Sequence, residues 1–542
     1  MTADLKTRIA QLTSLQEAES LYPPRQLPEG AEVVRIAPSP TGMPHIGTAM
    51  QSVIDRALAD KTKGVFILRI EDTDQERSVP GAIDAIVAGL RWLGTSPDEG
   101  YSFGGDYGPY LQSERLKLYQ LAAEELVAKG HAYHCFCTSE RLEQLREAQT
   151  KAKMMPKYDR LCSKLSADEV SARKAKGETS VVRMRVPKDG TKITFKDEVR
   201  GKIEFDAKVL DDSILLKSDG FPTYHLAVIV DDHFMRVTTV VRGEEWISSA
   251  PKHVLLYQMF GWQSPKWLHT VLLRDAERRK LSKRSGDTSI TGYRVQGYLP
   301  EGLRNFLTRV MWAHPENKDI YDLAEFARLV TAEALPSTGP IADMKLFGFI
   351  NGHYLASHKA AELRAMFVQY LGYLIEVGRV PELHEDEEEP SLTLETVQKL
   401  KAEIEGNIAY ADEVFGLEPE RHQKLSDVFR NCGFLFEATY IPATPALLAK
   451  HCPDAAQAKT ILQKVLDTCI GHNSHESWEA AMRGIAAEQG VKDKVVFMLT
   501  RVAATGMEKT PPLYEIMHLL GTGRLTARLA AAQAVVGTSV AA

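Results

Sequence analysis

A chain of 542 residues, 44% hydrophobic and 25% charged, exceeds what one hydrophobic core supports, so roughly two to four folding units are expected. No apolar run approaches the length of a membrane span, and six cysteines are too few for a disulfide scaffold. A formal net charge of −6 argues against nucleic-acid binding over the whole surface, although a local basic face suffices for it.

Residues 1–30 form an N-terminal extension without a basic start or an apolar block, and Asp4, Glu17 and Glu19 argue against an import presequence. The cytoplasm is the expected compartment. Leu5, Ile9 and Leu12 fall at helical spacing, which predicts a short helix packed on the body before Pro23-Pro24. From Glu32 to Asp74 the pattern is strand, tight turn, helix, strand: Val33 to Ile36, a helix from about Gly47, then Gly64 to Ile70. Ile46, Met50, Val53, Ile54 and Leu58 make one apolar helical face suited to a parallel sheet, whose ligands gather at the carboxyl ends of its strands.

More mixed sequence follows and reads as an inserted domain over 105–219, with a helix near Ser113 to Lys129 and a strand over Val181 to Val186. Leu226 to Val230 reads as sheet, as does Val237 to Val241, and a helix is expected from about Ser248 to Phe260. Beyond Pro300 helical spacing dominates, as in Leu303, Phe306, Leu307 and Val310. Glu385 to Glu389, closed by Pro390, reads as a solvated linker, and Cys432, Cys452 and Cys469 as buried thiols.

Two segments suit a nucleotide. The turn Ala37-Pro38-Ser39-Pro40-Thr41-Gly42, leading into His45 and Gly47 at a helix start, presents backbone N–H groups to an anion. Lys280-Leu281-Ser282-Lys283-Arg284 offers two ammonium groups to a triphosphate, in a stretch from Arg274 to Arg284 with six basic residues. No P-loop competes, since Gly201-Lys202 is followed by Ile203, and Gly521-Thr522-Gly523 lacks the third glycine of a dinucleotide fingerprint.

Together, Arg35 to Thr48 and Lys280 to Arg284 resemble the two signature motifs of class I aminoacyl-tRNA synthetases, with Thr48 in place of the usual final His. Ala37 to Gly42, Arg69-Ile70-Glu71-Asp72-Thr73-Asp74, Lys217 to Ala227, and Arg242-Gly243-Glu244-Glu245-Trp246 are similar to blocks of bacterial-type glutamyl-tRNA synthetases. The resemblance is dense from about Val33 to Leu307, thins in the helical half and recurs near Pro511 to Glu515.

It implies an α/β fold, with a Rossmann-type parallel-sheet catalytic domain in two halves, 31–104 and 220–265, split by an α+β acceptor-stem-binding insertion. A stem-contact region, 266–350, and an all-helical anticodon-binding region, 351–542, complete it. The implied reaction attaches L-glutamate to tRNA(Glu) through a glutamyl-adenylate, using ATP and Mg2+, in a monomer without membrane partners that activates glutamate only once tRNA is bound. His45, Lys280 and Lys283 are the implied catalytic residues. Pro38, Thr41, Gly42, His45, Gly47, Glu244, Leu281, Ser282, Lys283 and Arg284 are the implied ATP contacts. Arg35 and Arg242 are implied for the glutamate side-chain carboxylate, with Ala37, Ser39, Glu71 and Tyr224 completing the pocket. Val228 departs from the family, which often has Asn there. The alternatives are an enzyme that also charges tRNA(Gln) and a tRNA-binding paralogue without catalysis, which the retained His45, Lys280 and Lys283 oppose.

Cys135, Cys137 and Cys162, in a reducing compartment, suggest a structural Zn2+ in a module over 135–164. Some relatives carry a His two residues after the last Cys, where this chain has Lys164. The resemblance implies Tyr158 as fourth ligand, His134 and His131 being alternatives, and other relatives bind no metal.

Overall fold

The computed structural model describes residues 2–279, 281, 287–383, 392–469, 472 and 474–538. Lys280, Ser282, Lys283 and Arg284, and the acidic run from Glu385 to Glu389, lie outside the described residues. The chain divides into two compact units, Met1–Thr291 with Arg304–Asp343, and Gly292–Leu303 with Met344–Ala542.

In the first unit the strands Val33–Ile36, Val65–Leu68 and Glu99–Gly100 form a parallel sheet. Val33–Ile36 and Val65–Leu68 are buried at every position, as strands covered on both faces must be. A second sheet orders Gly201–Asp206, Lys192–Asp197, Lys266–Thr270 and Thr239–Gly243, the last two parallel. The two sheets meet where Thr238 N donates to Val33 O at 2.9 Å and the Thr238 hydroxyl accepts from Val33 N at 2.8 Å. The spatial order is therefore Glu99, Val65, Val33, Thr239, Lys266, and the chain switches direction between the strands ending at Ile36 and Gly243. Open α/β sheets bind ligands at that switch point.

The helix Ile46–Thr62 crosses from the first strand to the second and ends at Lys63 in the left-handed region (φ 54°). Gly64 follows because a Cβ there would lie 1.9 Å from Glu32 O. Leu226 to Val230 is not sheet: it lies in the helix Tyr224–Phe234. Those five residues are all buried, so the segment has no polar stripe to reveal a helical period.

Residues 105–219 also contribute an antiparallel sheet of Ala132–Cys135, Val181–Met184 and Ile214–Leu216. The N-terminal segment forms two helices, Thr2–Ala10 and Leu15–Leu21. Ile9, Leu12, Leu15, Ala18 and Tyr22 join the core of the first unit.

From Met344 on, the described residues form helices and no strand, from Met344–Ala356 to Leu513–Val535. Thr393, Asp454 and Ser474 cap three of these helices with side-chain oxygens. Their apolar faces, with Phe367, Leu400, Val465, Leu499 and Ile516, bury a separate core that includes Cys432, Cys452 and Cys469.

Candidate active site

The strand Val33–Ile36 runs into the turn at Ala37, which is tied to the following crossover: Arg69 N donates to Ile36 O at 3.0 Å and Glu71 N to Pro38 O at 3.1 Å. Val79 N donates to Pro40 O at 2.8 Å, so the two family-like blocks form one wall. Ser39, Glu71, Gln112, Lys217 and Tyr224 line a cavity of about 590 Å³ behind that wall.

His45 caps the helix Ile46–Thr62, its Nδ1 accepting from Gly47 N at 3.0 Å. An accepting Nδ1 puts the proton of the neutral ring on Nε2, making that atom the ring's donor. Ile46 N donates to Thr288 O and Ile290 N to Pro44 O, both at 2.9 Å. The first signature motif is thus stitched to the end of the segment that carries the second. On the other flank Leu281 is buried and donates its N–H to Leu273 O at 3.0 Å. Glu244 accepts from Arg200 Nη2 at 2.7 Å and from Leu272 N at 3.4 Å, which fixes the same strand exit. Thr41 is exposed, and Gly42 is half-buried with open space where a Cβ would stand.

Arg35 and Arg242 stand at neighbouring strand ends with different partners. Arg35 donates through Nε and Nη2 to Asp232 at 3.1 and 3.3 Å, and through Nη1 to Val241 O at 3.3 Å. Asp232 also accepts from Arg69 Nη1 at 2.6 Å, and Arg69 Nη2 donates to Glu71 at 3.2 Å. Burial pushes Glu71 up to about 7, against the opposing pull of Arg69 and Arg35. Burial also raises Asp232, but Arg35 and Arg69 outweigh it and hold that carboxylate below its ordinary range.

Arg242 is 4% exposed and lies over the Trp267 ring, 4.9 Å from its centroid. Its Nε donates to His269 Nε2 and its Nη1 to His253 Nδ1, both at 2.9 Å. Nη2 has no hydrogen-bond partner among the described residues. Burial lowers the Arg242 pKa, with the Tyr224 phenol opposing it. An under-satisfied buried cation beside a cavity that contains Tyr224 and Glu71 is built to receive an anion.

Asp231, Asp232, His253 and His269 escaped sequence reasoning: the two aspartates lie 116 and 197 residues from Arg115 and Arg35, and neither histidine carries a local motif that points to Arg242. Val228 is 2% exposed in the hydrophobic core.

In the insertion the Sγ atoms of Cys135, Cys137 and Cys162 lie within 4.8 Å of one another. The Tyr158 hydroxyl is 3.3 Å from Cys135 Sγ and 3.4 Å from Cys137 Sγ, and Cys137 and Cys162 are 3.6 Å apart. A tetrahedral zinc with Zn–S bonds of about 2.3 Å requires ligand separations of about 3.8 Å, so the donor set fits that ion. His134 turns away to Lys174 Nζ at 2.9 Å, and neither His134 nor His131 joins the thiol cluster. Lys164 is exposed.

Residues 32–347 match the family described as the catalytic domain of class I tRNA synthetases (E and Q), and residues 392–533 match an anticodon binding domain. The chain is 54% identical over 528 residues to a glutamate–tRNA ligase of Gloeobacter violaceus, covering 96% of this chain and 99% of that one. It is 40% identical over 502 residues to the glutamate–tRNA ligase of Thermus thermophilus, covering 92% and 98%. A crystal structure of a glutamate tRNA ligase from Elizabethkingia meningosepticum in complex with its amino acid superposes with a TM-score of 0.75 at 28% identity, covering 93% of this chain and 99% of that one.

Proposed function

The chain belongs to the class I tRNA synthetases of the glutamate and glutamine group, and on that footing we propose how its own residues carry out the ATP-dependent attachment of L-glutamate to tRNA. It is a glutamate–tRNA ligase by kinship over nearly its whole length. The glutamate α-carboxylate attacks the α-phosphate of ATP, pyrophosphate leaves, and the terminal ribose hydroxyl of tRNA then displaces AMP from the glutamyl-adenylate.

No protein nucleophile is required; the site orients and neutralises. Arg242 takes the side-chain carboxylate, and the observation that carries this is its buried Nη2, which has no hydrogen-bond partner among the described residues. Arg35, already bonded to Asp232, supplies a second positive centre behind it. Glu71 accepts from the α-ammonium, with Ser39 and Tyr224, which line the cavity beside it, closing the pocket. His45 donates from Nε2 to the triphosphate, Pro38, Thr41, Gly42, Gly47 and Glu244 shape its bed, and the resemblance assigns the charges of Lys280, Lys283 and Arg284, with Leu281 and Ser282, to the same anion. Magnesium accompanies the triphosphate.

The unit containing Met344–Ala542 reads the anticodon of tRNA(Glu), in keeping with the match over residues 392–533. Cys135, Cys137, Cys162 and Tyr158 would hold one zinc, which pins the insertion's loops. The enzyme acts as a cytoplasmic monomer, and no helix among the described residues is long and apolar enough to cross a membrane.

ATP–pyrophosphate exchange, with and without tRNA, tests activation; exchange only with tRNA present is expected. Charging of separate glutamate and glutamine tRNAs tests specificity. Glutamate attached to the first alone is expected, and equal charging of both overturns the tRNA(Glu) assignment.

A further inference from the structure

Arg242 is held by imidazoles where Arg35 is held by a carboxylate, and the difference has a consequence for amino-acid choice. A guanidinium can only donate, so both ring nitrogens that meet it must be unprotonated acceptors. His269 accepts at Nε2, and its Nδ1–H therefore donates to Asp197 Oδ2 at 2.6 Å. His253 accepts at Nδ1, and its Nε2–H donates to His225 Nδ1 at 3.0 Å. Every tautomer in the cluster follows from these bonds.

The cluster is rigid and dry. His253 and His269 are 0% exposed, and Asp197 is 0% exposed as well. Asp197 also accepts from His269 N at 3.1 Å, Val199 N at 3.1 Å and Arg200 N at 2.9 Å, so its orientation is fixed from three sides. Burial pushes His253 far down and His225 down to about 4, in keeping with neutral rings.

We infer that His253 and His269, with Asp197 behind His269, are positioning residues that set the preference for a negatively charged side chain in the amino-acid site. They fix the plane of the Arg242 guanidinium without placing an anion against it, so the charge stays open for the substrate. A carboxylate partner in their place, of the kind Arg35 has in Asp232, repels an incoming carboxylate and admits a neutral amide on nearly equal terms. This rests on the reading of Arg242 as the ligand of the glutamate side chain.

The test compares acceptor-less and acceptor-retaining variants of the full-length enzyme: His253→Phe and His269→Phe against His253→Asn and His269→Gln. Charging of tRNA(Glu) yields KM for glutamate, KM for ATP, kcat, and the ratio of kcat/KM for glutamate over glutamine. The phenylalanine variants are expected to raise glutamate KM about tenfold or more, the effect of losing a hydrogen bond to a charged group, and to lower the glutamate preference. ATP KM is expected to stay within about twofold, and the amide variants to recover most of the loss.

Unchanged glutamate KM and preference in folded phenylalanine variants overturns the inference, as does a parallel rise in both KM values. If the phenylalanine variants do not fold, Asp197→Asn decides by the same ratio: reduced glutamate preference with steady ATP KM supports the inference, and wild-type values overturn it. Arg242→Ala separates the two layers. If it leaves glutamate KM unchanged, the reading of Arg242 fails; if it alone raises KM, only the inference about the histidines fails.

Discussion

Arg35 and Asp232 are joined by two nearly parallel hydrogen bonds of 3.1 and 3.3 Å between side chains that are almost completely buried. Removing one partner of such a pair strands the other. Arg35→Ala leaves Asp232 with Arg69 alone and is expected to cost about 3 kcal/mol or more of stability in the first unit, besides weakening glutamate binding. Arg242→Ala removes a buried cation with no carboxylate partner among the described residues and leaves two ring acceptors unpaired, so its stability cost is expected to be smaller, about 1 to 2 kcal/mol, while kcat/KM for glutamate falls about a hundredfold. Thermal melts beside charging kinetics check the contrast; equal losses of stability in the two variants contradict it.

Glu71 must be ionised to accept from the substrate ammonium, yet burial pushes it up to about 7. The sign follows directly: the protonated form accumulates as pH falls through 7, so kcat/KM for glutamate is expected to drop about tenfold per pH unit below that point. Glu71→Gln is expected to be weak at every pH and to lose this limb. A profile flat from pH 8 to about 5.5 in the wild-type enzyme refutes the role of Glu71 as ammonium ligand.

Metal analysis of the purified protein is expected to find about one zinc per chain, since three thiols and the Tyr158 hydroxyl already converge at ligand distances. Cys162→Ser is expected to lose the metal and to lower kcat/KM for tRNA about tenfold without changing KM for ATP, because the module lies in the insertion. Metal-free protein whose charging is indifferent to chelation removes the site from the account.

The parts of this site that were legible in the sequence are those held by local backbone. Proline-rich turns, a His at a helix start and an Arg at a strand end announce themselves within a few residues, and the turn at Pro38 does meet Glu71 N in space. The electrostatic partners were not legible. Asp232 serves Arg35 from a helix 197 residues away, and Asp197 reaches His269 across 72. Only the sheet order brings such pairs together. Burial hid the helix Tyr224–Phe234, where even Asp231 and Asp232 are buried and no exposed face marks a period.

The N-terminal extension gives the last prediction. Tyr22 is 0% exposed, donates to Gly108 O at 2.9 Å and accepts from Arg115 Nη1 at 3.0 Å. Arg115 in turn holds Asp231 at 2.7 Å, beside Arg69, which bonds Glu71. Tyr22→Ala opens a cavity the size of an aromatic ring and is expected to destabilise the first unit by about 3 to 5 kcal/mol. Tyr22→Phe keeps the packing and leaves Arg115 the carbonyls of Tyr107 and Pro109, so about 1 kcal/mol is expected. Neither change is expected to move glutamate KM more than about threefold where the protein is folded, because Asp231 keeps Gln112 and Tyr119 as donors and the disturbance ends there. Melting curves and glutamate kinetics on the same samples decide it: a large KM shift in Tyr22→Phe with an unchanged melt means that the extension acts on the glutamate site directly.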